Sequence, residues 1–315
     1  MLSQSDDEPI SMTNVLIDAT HDDEERRRRL YAGDLYVYGP TKATRAFQRF
    51  TRDMIEEAFG SMDPEHAQYE MPVEEYAALL ARLKPAFIHH PDSKRLIQNV
   101  LAEFGCDPDA TYFEVPKMRS STSDKYLTAG IAYAWHPHRD TWYSAPQCQI
   151  NWWTPIYEVT PENCMAFHSQ YWARPIDNSS AGYNYYEWNE KYRGTHITQY
   201  INEDPRPLPA PKGTLSLDPD LRLVCPVGGL ILFSGAQLHS SVPNTSGKTR
   251  FSVDFRTAHV GDIRSGIGAP NADSHCTGTV IHEFRRARDL AEIPEDVARM
   301  LEDGTEAQGR AVYTG

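Results

Sequence analysis

The stretch GGLILFSGAQLHSSVPNTSGKTRFSVDFR, residues 228–256, carries the pattern that decides the fold class. A short apolar run is followed by a polar segment rich in Pro, Asn, Ser and Gly, and then by an alternation of apolar and polar residues. Short apolar or alternating runs bounded by turn residues predict β-strands. The stretch therefore predicts a strand, a turn and a second strand, with His239 before the turn and Arg250 after it.

The same pattern recurs from residue 111 onward. Four more short runs alternate or are continuously apolar, and Pro, Gly, Asn and Asp separate them: TYFEVPKM (111–118), YLTAGIAYAW (126–135), QCQINWWTPI (147–156) and RLVCPV (222–227). Many short strands with turn residues between them favour a sandwich or a jelly roll over alternating βαβ units. We therefore predict an α+β protein with a mainly β core at about 111–257.

The residues before this core are predicted to be helical. Apolar residues recur at helical spacing in three stripes within 41–105, and each stripe ends before a Gly or a Pro. An alternating run at 30–40 predicts one strand ahead of these helices, and the polar, acidic residues 1–25 predict a flexible arm. Residues 26–315 are expected to form a single domain, with a helical tail at 280–303.

The segment 171–211 interrupts the strand pattern of the core. It is rich in aromatic residues and in residues that break regular structure, as in YWARPIDNSSAGYNYYEWNEKY (171–192). It is too long for a simple connection, and long loops of this kind often form lids or binding elements. A packed surface elaboration or a dimer contact fits the sequence equally well.

The composition limits the classes of partner. Of the 315 residues, 40% are hydrophobic and 24% charged, and no apolar run approaches the roughly 18 residues that span a membrane. The formal net charge of -13 disfavours nucleic acid. Five cysteines without CxxC spacing, and no signal-peptide pattern, predict a reduced, cytoplasmic protein. The expected partner is a small-molecule substrate, with no nucleic acid and no membrane, and a homodimer is compatible with the sequence.

A second stretch, AWHPHRDTW (134–142), concentrates metal-binding residue types. His136, His138 and Asp140 alternate, so in an extended strand their side chains share one face. Two ligand sets compete on this spacing. A cupin-like site uses both histidines and a glutamate a few residues on, but residues 141–145 include no glutamate. The alternative pairs His138 with Asp140 and needs a distant histidine to complete a facial triad.

His239 has the best setting for the third ligand, because it follows a buried-looking strand and precedes a turn and another strand. Four other histidines compete with it: His168, His196, His259 and His275. The turn is expected to fold Arg250 back beside the metal, with Ser252 two residues further on. A buried guanidinium suits a dicarboxylate, because it binds one carboxylate through two hydrogen bonds while the other end chelates the metal.

Three blocks of the sequence resemble the signature blocks of phytanoyl-CoA dioxygenase-like proteins, which are Fe(II)/2-oxoglutarate-dependent dioxygenases. They are HRDTWY (138–143), INWWTPIYEVTPENCMAFHSQ (150–170) and the stretch 228–256, in the expected order and spacing. The resemblance covers roughly residues 110–257. It departs from the family at His168, which stands where the family usually has the glycine of a Pro-Gly-Ser-His segment.

The resemblance implies a double-stranded β-helix, or jelly roll, with N-terminal helices and an aromatic-rich insert. It implies that His138, Asp140 and His239 bind Fe(II). It also implies that Arg250, helped by Ser252, binds the distal carboxylate of 2-oxoglutarate, with O2 as the second cosubstrate.

The reaction implied by the resemblance is oxidation of a C–H bond of a small metabolite, with release of succinate and CO2. Hydroxylation is the expected outcome, while desaturation, epimerisation and cyclisation stay open. Halogenating members of the family usually have a small residue in place of the carboxylate ligand, so Asp140 argues against halogenation. Gln149 and Asn151 alternate on one strand and are candidates for contact with the cosubstrate or the substrate.

Other function classes stay open on the sequence. Two histidines and a carboxylate also form catalytic zinc sites, and zinc binds most such sites more tightly than ferrous iron. Arg250 argues against a zinc hydrolase, which has no need to bind the tail of a cosubstrate. The remaining alternatives are a cupin-like dioxygenase that does not use 2-oxoglutarate, and a non-catalytic jelly-roll module that binds a ligand.

Overall fold

The computed structural model describes residues 13–304, which form two β-sheets with helices packed against the larger one. The helices are α1 (Asp23–Tyr31), α2 (Lys42–Phe59), α3 (Val73–His89), α4 (Pro91–Glu103), α5 (Tyr185–Lys191), α6 (Val260–Ser265) and α7 (Glu295–Ala298). The strands are β1 (Val15–Ile17), β2 (Leu35–Tyr38), β3 (Thr111–Phe113), β4 (Lys117–Ser121), β5 (Ile150–Pro155), β6 (Met165–Phe167), β7 (Leu221–Leu223), β8 (Leu230–Ser234), β9 (His239–Ser241), β10 (Arg250–His259) and β11 (Arg285–Arg286). The protein is therefore a mixed α and β fold with a sheet-rich core.

The larger sheet has the strand order β1-β2-β8-β5-β10-β3-β11, and β4 also pairs with β10. Strand β10 is its longest member and pairs antiparallel with β5 on one side and with β3 and β4 on the other. The smaller sheet has the order β7-β6-β9. Only the pairing of β1 with β2 is parallel among the described strands.

Side chains alternate along β5, β8 and β10 and give the larger sheet two different faces. On one face, Trp152, Leu232 and Phe255 join the main core, which helices α2 to α4 complete. Each such fully buried side chain stabilises the fold by about 1.5–3 kcal/mol relative to exposure. On the other face, Trp153 and Phe233 pack against the smaller sheet. Asn151 of β5 and four polar residues of β10 share this second face: Arg250, Ser252, Asp254 and Arg256. The two sheets therefore enclose the candidate site between them.

Helix α3 is longer than the sequence pattern predicts. The apolar stripe indicates an end before Pro85, but the helix continues to His89 with that proline inside it. A proline removes one backbone donor and bends a helix without always ending it. Phe87, beyond the proline, is fully buried against Phe47 of α2. Packing of this aromatic pair outweighs the local preference.

The predicted acidic arm differs from the structure where the two overlap. Residues 1–12 lie outside the described residues. Residues 15–17 form β1, and the acidic run that begins at Asp23 is the first turn of α1, capped by the Asp22 side chain. Acidic residues stabilise the start of a helix through its dipole, so this charge pattern marks a helix start rather than a flexible segment.

Two further predictions of regular structure are wrong. Residues 126–135 form no strand, only a 3-10 turn at Gly130–Ala132, because their backbone N–H groups donate to carbonyls of the 171–211 insert. The tail at 280–303 is not a continuous helix either. It contains 3-10 turns, the short α7, and β11, which pairs with β3. No helix within residues 13–304 is long and apolar enough to cross a membrane.

Candidate metal centre

His138 and His239 lie opposite each other on antiparallel segments. The backbone N–H of each donates to the carbonyl of the other, at 3.0 Å in both directions. Directly opposite residues of an antiparallel pair place their side chains on the same face. The two imidazole centroids are accordingly 4.3 Å apart, although about a hundred residues separate them in the chain.

Asp140 completes a cluster with these two histidines. Its Oδ1 lies 3.4 Å from His138 Nε2 and 3.9 Å from His239 Nε2. The three residues are buried, and one ligand atom from each lies within 4.8 Å of the others. Within residues 13–304 no second group of three or more His, Cys, Asp or Glu side chains is arranged to hold a metal.

The chain around Asp140 is not the extended strand that the alternation predicts. Strand-like pairing is confined to His138, and Asp140 begins a 3-10 turn, Asp140–Tyr143. The Asp140 N–H donates to the carbonyl of Gly235 at 2.8 Å. A Cβ at Gly235 would lie 3.2 Å from Gln149 Nε2 and 3.5 Å from the Asp140 Cβ, so glycine permits this close approach.

Hydrogen bonds determine which nitrogen of each imidazole faces the cluster. His138 Nδ1 lies 2.8 Å from the carbonyl of His136, and His239 Nδ1 lies 2.9 Å from the carbonyl of Gln237. A carbonyl only accepts, so Nδ1 is the donor in both rings and Nε2 is the nitrogen that each ring presents to the cluster. Burial, with the neighbouring His138, lowers the pKa of His239 to about 3, which keeps that ring neutral at pH 7.

The second oxygen of Asp140 is fixed by three donors. Gln149 Nε2 lies 2.9 Å from Oδ2, Asn151 Nδ2 lies 2.8 Å away, and Arg256 Nε lies 3.4 Å away. Burial opposes ionisation of Asp140, but the charge of Arg256 and contacts with His138 and His239 hold its pKa well below the usual value. The carboxylate is therefore ionised, and Oδ1 is left to face a metal.

These contacts alter the expected roles of Gln149 and Asn151. The sequence suggests contact with the cosubstrate or the substrate, but both amide nitrogens donate to Asp140.

The sequence pattern did not single out Arg256, which binds Glu114 at 2.9 Å and Asp254 at 3.4 Å in addition to Asp140. A signal was present, because Arg256 is an even number of residues from Arg250 and shares its face of β10.

Arg250 lines a cavity of about 60 Å³ together with the three clustered residues. Its Nη1 donates to the carbonyls of Asn163 and Cys164, at 2.9 and 3.3 Å, and its Nε is buried without a partner. Burial lowers the pKa of Arg250 to about 10, so the side chain still carries its charge at pH 7. Ser252, on the same face of β10, has a buried Oγ that also lacks a partner.

Buried polar groups nearly always have partners in folded proteins, and an unpaired buried charge is costly. Two unpartnered donors on one face of β10, together with two imidazoles that present Nε2 and an ionised carboxylate, fit a metal-chelating ligand that ends in a carboxylate. The match of residues 33–252 to the family model of phytanoyl-CoA dioxygenase (PhyH) agrees with this donor set. The chain belongs to the phytanoyl-CoA dioxygenase family.

Phytanoyl-CoA dioxygenase family members are non-haem iron, 2-oxoglutarate-dependent oxygenases. The His-Asp-His cluster of this chain accordingly takes Fe(II), with 2-oxoglutarate and O2 as cosubstrates. No curated protein matches the sequence.

Several solved structures are similar to this family member. One is the epimerase SnoN from nogalamycin biosynthesis, in complex with Fe3+, alpha ketoglutarate and nogalamycin RO, at 14% identity over 76% of this chain and 85% of that chain, with a TM-score of 0.37. Another is AviO1 from Streptomyces viridochromogenes Tue57, at 14% identity over 76% and 92%, with a TM-score of 0.37. A third is the non-heme monooxygenase ThoJ in its apo form, at 14% identity over 69% and 70%, with a TM-score of 0.35. At this level of similarity they do not bear on the activity of this chain.

The other candidate histidines of this dioxygenase family member are engaged elsewhere. His136 Nε2 donates to the carbonyl of Pro209 at 2.9 Å, and its Nδ1 lies 3.0 Å from the Tyr133 hydroxyl. His168 Nε2 lies 3.0 Å from the Ser240 hydroxyl. The remaining rivals also lie outside the cluster: His196, His259 and His275.

A second cavity, of about 210 Å³, adjoins the metal centre and shares His138 and Asp140 with the first. The 171–211 insert lines it through Tyr183, Tyr185, Trp188 and Leu208. The insert is attached to the metal-binding segment at Pro209, whose carbonyl accepts hydrogen bonds from His136 and from Tyr143. The aromatic insert thus forms one wall of the space beside the metal centre, in agreement with one of the two interpretations of its sequence.

Proposed function

We propose that this oxygenase hydroxylates a C–H bond of a small-molecule metabolite, with conversion of 2-oxoglutarate to succinate and CO2. The observation that carries the proposal is the paired arrangement of a complete His-Asp-His donor set and an unpartnered Arg250 Nε in one cavity. A hydrolytic zinc site has no use for that arginine. The intact carboxylate of Asp140 favours hydroxylation over halogenation.

Each residue has a defined task in this reaction. The Nε2 atoms of His138 and His239 and the Oδ1 of Asp140 hold the iron, and Gln149 and Asn151 keep the carboxylate in place. When bound, the iron supplies the activation of O2 that C–H oxidation needs.

The cosubstrate is held at its far end by two residues on one face of β10. Arg250 supplies the charge and the free Nε, and Ser252 supplies a hydroxyl without a partner, so both can donate to the distal carboxylate of 2-oxoglutarate. A carboxylate held in this way leaves the keto acid end of the cosubstrate directed toward the iron ligands that line the same cavity.

The substrate is proposed to enter the 210 Å³ cavity. Trp135, Tyr143 and Tyr183 give this cavity aromatic walls, and the insert supplies one of them. A net charge of -13 disfavours polyanionic macromolecules, which supports a compact metabolite as the substrate. We also propose that the two sheets are the two layers of a double-stranded β-helix, as the family assignment implies.

A metabolite screen that follows 2-oxoglutarate-dependent succinate release tests the proposal. The expected result is stimulation of succinate release by one class of small molecule, with incorporation of one oxygen atom from O2 into the product. The Asp140→Ala variant is the blank, because it removes one metal ligand and leaves Arg250 and the insert unchanged in sequence. Folded wild-type protein that neither binds 2-oxoglutarate with Fe(II) nor releases succinate would overturn the proposal.

A further inference from the structure

A third cavity, of about 300 Å³, lies beside the other two and shares Arg119 and Trp135 with both. Trp135 separates it from the metal centre, since its ring lies 4.9 Å from that of His138, centroid to centroid. Much of the wall is apolar, and its aliphatic part comes from Ile88, Met118, Ile131, Ile197 and Leu208. The volume and the apolar walls suit a compact organic ligand.

The charged groups that line this third cavity are all cationic. They are Lys84, Lys117, Arg119, Arg193 and Arg206, and no carboxylate is among the lining residues. This is unusual for a protein with a net charge of -13. Four of the five are paired with acidic residues that do not line the cavity: Lys117 with Glu114, Arg119 with Asp254, Arg193 with Glu283, and Arg206 with Asp204.

Lys84 is the exception among these cations. It lies in the middle of α3 and is buried, and its Nζ donates to the Ser120 hydroxyl at 3.0 Å and to the carbonyl of Ile131. Both acceptors are neutral, and within residues 13–304 Lys84 forms no ion pair with a carboxylate. Burial, with the charge of Arg119 adding to it, lowers the pKa of Lys84 to about 7. A buried ammonium without a counter-ion is costly, and a bound anion offsets that cost.

We propose that the substrate is a carboxylic acid with an apolar body, whose carboxylate binds Lys84 in the third cavity while the body extends past Trp135 toward the metal centre. This inference rests on the proposed function, since it names the substrate class of the same oxygenase. A monoanion is favoured over a phosphate dianion because only one of the five cations lacks an acidic partner. The apolar walls of the third cavity receive the part of the body next to the carboxylate, and the rest lies in the 210 Å³ cavity beside the metal centre.

Calorimetric titration of the anaerobic protein, loaded with Fe(II) and 2-oxoglutarate, tests the proposal with three probes of similar shape. They are 2-naphthoate, 2-naphthyl phosphate and the neutral 2-naphthylmethanol. We expect 2-naphthoate to bind at least tenfold more tightly than either of the others. Lys84→Met should abolish the preference over the alcohol without weakening the alcohol itself. Lys42→Met, which removes an exposed lysine of α2, changes the net charge equally and should leave all three affinities unchanged.

A proton count separates an ion pair from a merely structural role of Lys84. Since its pKa is lowered to about 7, most Lys84 side chains are neutral at pH 8, and a bound carboxylate should draw a proton onto Nζ. Titrations in two buffers of different ionisation enthalpy should therefore report uptake approaching one proton per 2-naphthoate. The alcohol, and the Lys84→Met variant with either ligand, should show no uptake.

The outcomes that overturn the inference are distinct from those that overturn the oxygenase assignment. Equal binding of acid and alcohol, or an acid preference that survives in Lys84→Met, contradicts the role of Lys84; tighter binding of 2-naphthyl phosphate contradicts the carboxylate. If Lys84→Met fails to fold, Ile197→Trp, which fills the cavity from a partly exposed position, should weaken 2-naphthoate binding at least tenfold. Loss of acid binding with 2-oxoglutarate binding intact contradicts this inference alone, whereas absence of 2-oxoglutarate binding contradicts the proposed function.

Discussion

Replacing Arg250 with methionine should weaken the binding of 2-oxoglutarate, and the loss should come from its distal carboxylate. Arg250 Nη1 is held by the carbonyls of Asn163 and Cys164, which leaves Nε, Nη2 and the charge to act on a ligand. Methionine keeps an unbranched apolar side chain but has no donor and no charge, and it removes the guanidinium carbon that lies 5.7 Å from the Trp153 ring centroid.

The magnitude follows from the number of hydrogen bonds and from burial. A hydrogen bond to a charged group contributes about 1.5–3 kcal/mol, and a guanidinium that binds a carboxylate through two donors loses two of them. The expected loss is thus at least about 3 kcal/mol, which corresponds to a roughly 100-fold rise in Kd. Arg250 is 6% exposed, so water can replace little of the lost interaction.

The assay is an anaerobic titration of Fe(II)-loaded protein, followed by the weak visible band that forms when 2-oxoglutarate chelates the iron. A parallel titration uses 2-oxobutyrate, which has the same chelating end and lacks the distal carboxylate. Arg250→Met should change the Kd for 2-oxobutyrate by less than threefold. The control variant is Arg95→Met, because the Arg95 side chain is 59% exposed on α4 and is absent from the cavity lining.

The two ligands together form a cycle that isolates the interaction between Arg250 and the distal carboxylate. Equal losses for both ligands would mean that Arg250 supports the fold of the site and does not recognise the cosubstrate. An unchanged Kd for 2-oxoglutarate would refute the assignment of this cavity to the cosubstrate. Within residues 13–304 Arg250 has no ion-pair partner, so its charge is available to the distal carboxylate if the cosubstrate binds there.

Three further predictions concern other residues. Asp140→Ala should abolish succinate production, whereas His136→Ala should retain the uncoupled reaction, and the opposite result would favour the cupin-like ligand set. Gln149→Leu should weaken Fe(II) binding about 10- to 100-fold by equilibrium dialysis, because it removes one donor to Asp140 Oδ2; an unchanged affinity would contradict the positioning role. Lys84, with its pKa lowered by burial to about 7, binds fewer protons in the folded than in the unfolded chain between pH 7 and 10, so stability should rise with pH in that window. Urea unfolding should show a gain of roughly 3 kcal/mol from pH 7 to 9.5 that is missing in Lys84→Met, and equal slopes would contradict the buried charge.

The strands of the central sheet are predictable from the sequence because their signal is local. In β5, β8 and β10, apolar residues alternate with others or form short continuous runs. A turn residue ends or follows β5 and β8, and the Ser-Gly turn at 246–247 precedes β10. The alternation also places Arg250 and Ser252 on one face without any knowledge of the neighbouring strands. These features need only the geometry of a single strand.

Elements whose partners are distant could not be predicted in the same way. Residues 126–135 have the pattern of a strand, but Ile197 and Ile201 of the insert accept their backbone hydrogen bonds. In the tail, Ile281 and Phe284 have helical spacing and are fully buried, yet the chain after them pairs with β3. In both cases a contact over a long sequence separation outweighs a local preference.

Lys84 combines a local signal with one that depends on tertiary packing. It lies four residues after Leu80 and three before Phe87, so helical spacing places it on the buried face of α3. A lysine on such a face is either paired or available to a ligand, and this much follows from the sequence alone. Its lack of an acidic partner, in contrast, depends on the packing of α3 against β4 and the 3-10 turn at Gly130–Ala132.

The placement of the metal ligands depends on a buried ion pair behind them as much as on strand geometry. Arg139, between the two ligands of the HPHRD segment, is 1% exposed and binds Asp273 at 3.1 Å. Its two Nη atoms also donate to the carbonyls of Ala236, Tyr171 and Arg174, which belong to the loop before His239 and to the start of the insert. One guanidinium thus joins the segments that carry all three ligands to the segment that walls the substrate cavity. Because removing one partner of such a pair typically costs about 3–5 kcal/mol, the irregular turn at Asp140 depends on the Arg139–Asp273 pair, and His-x-Asp spacing alone could not reveal this.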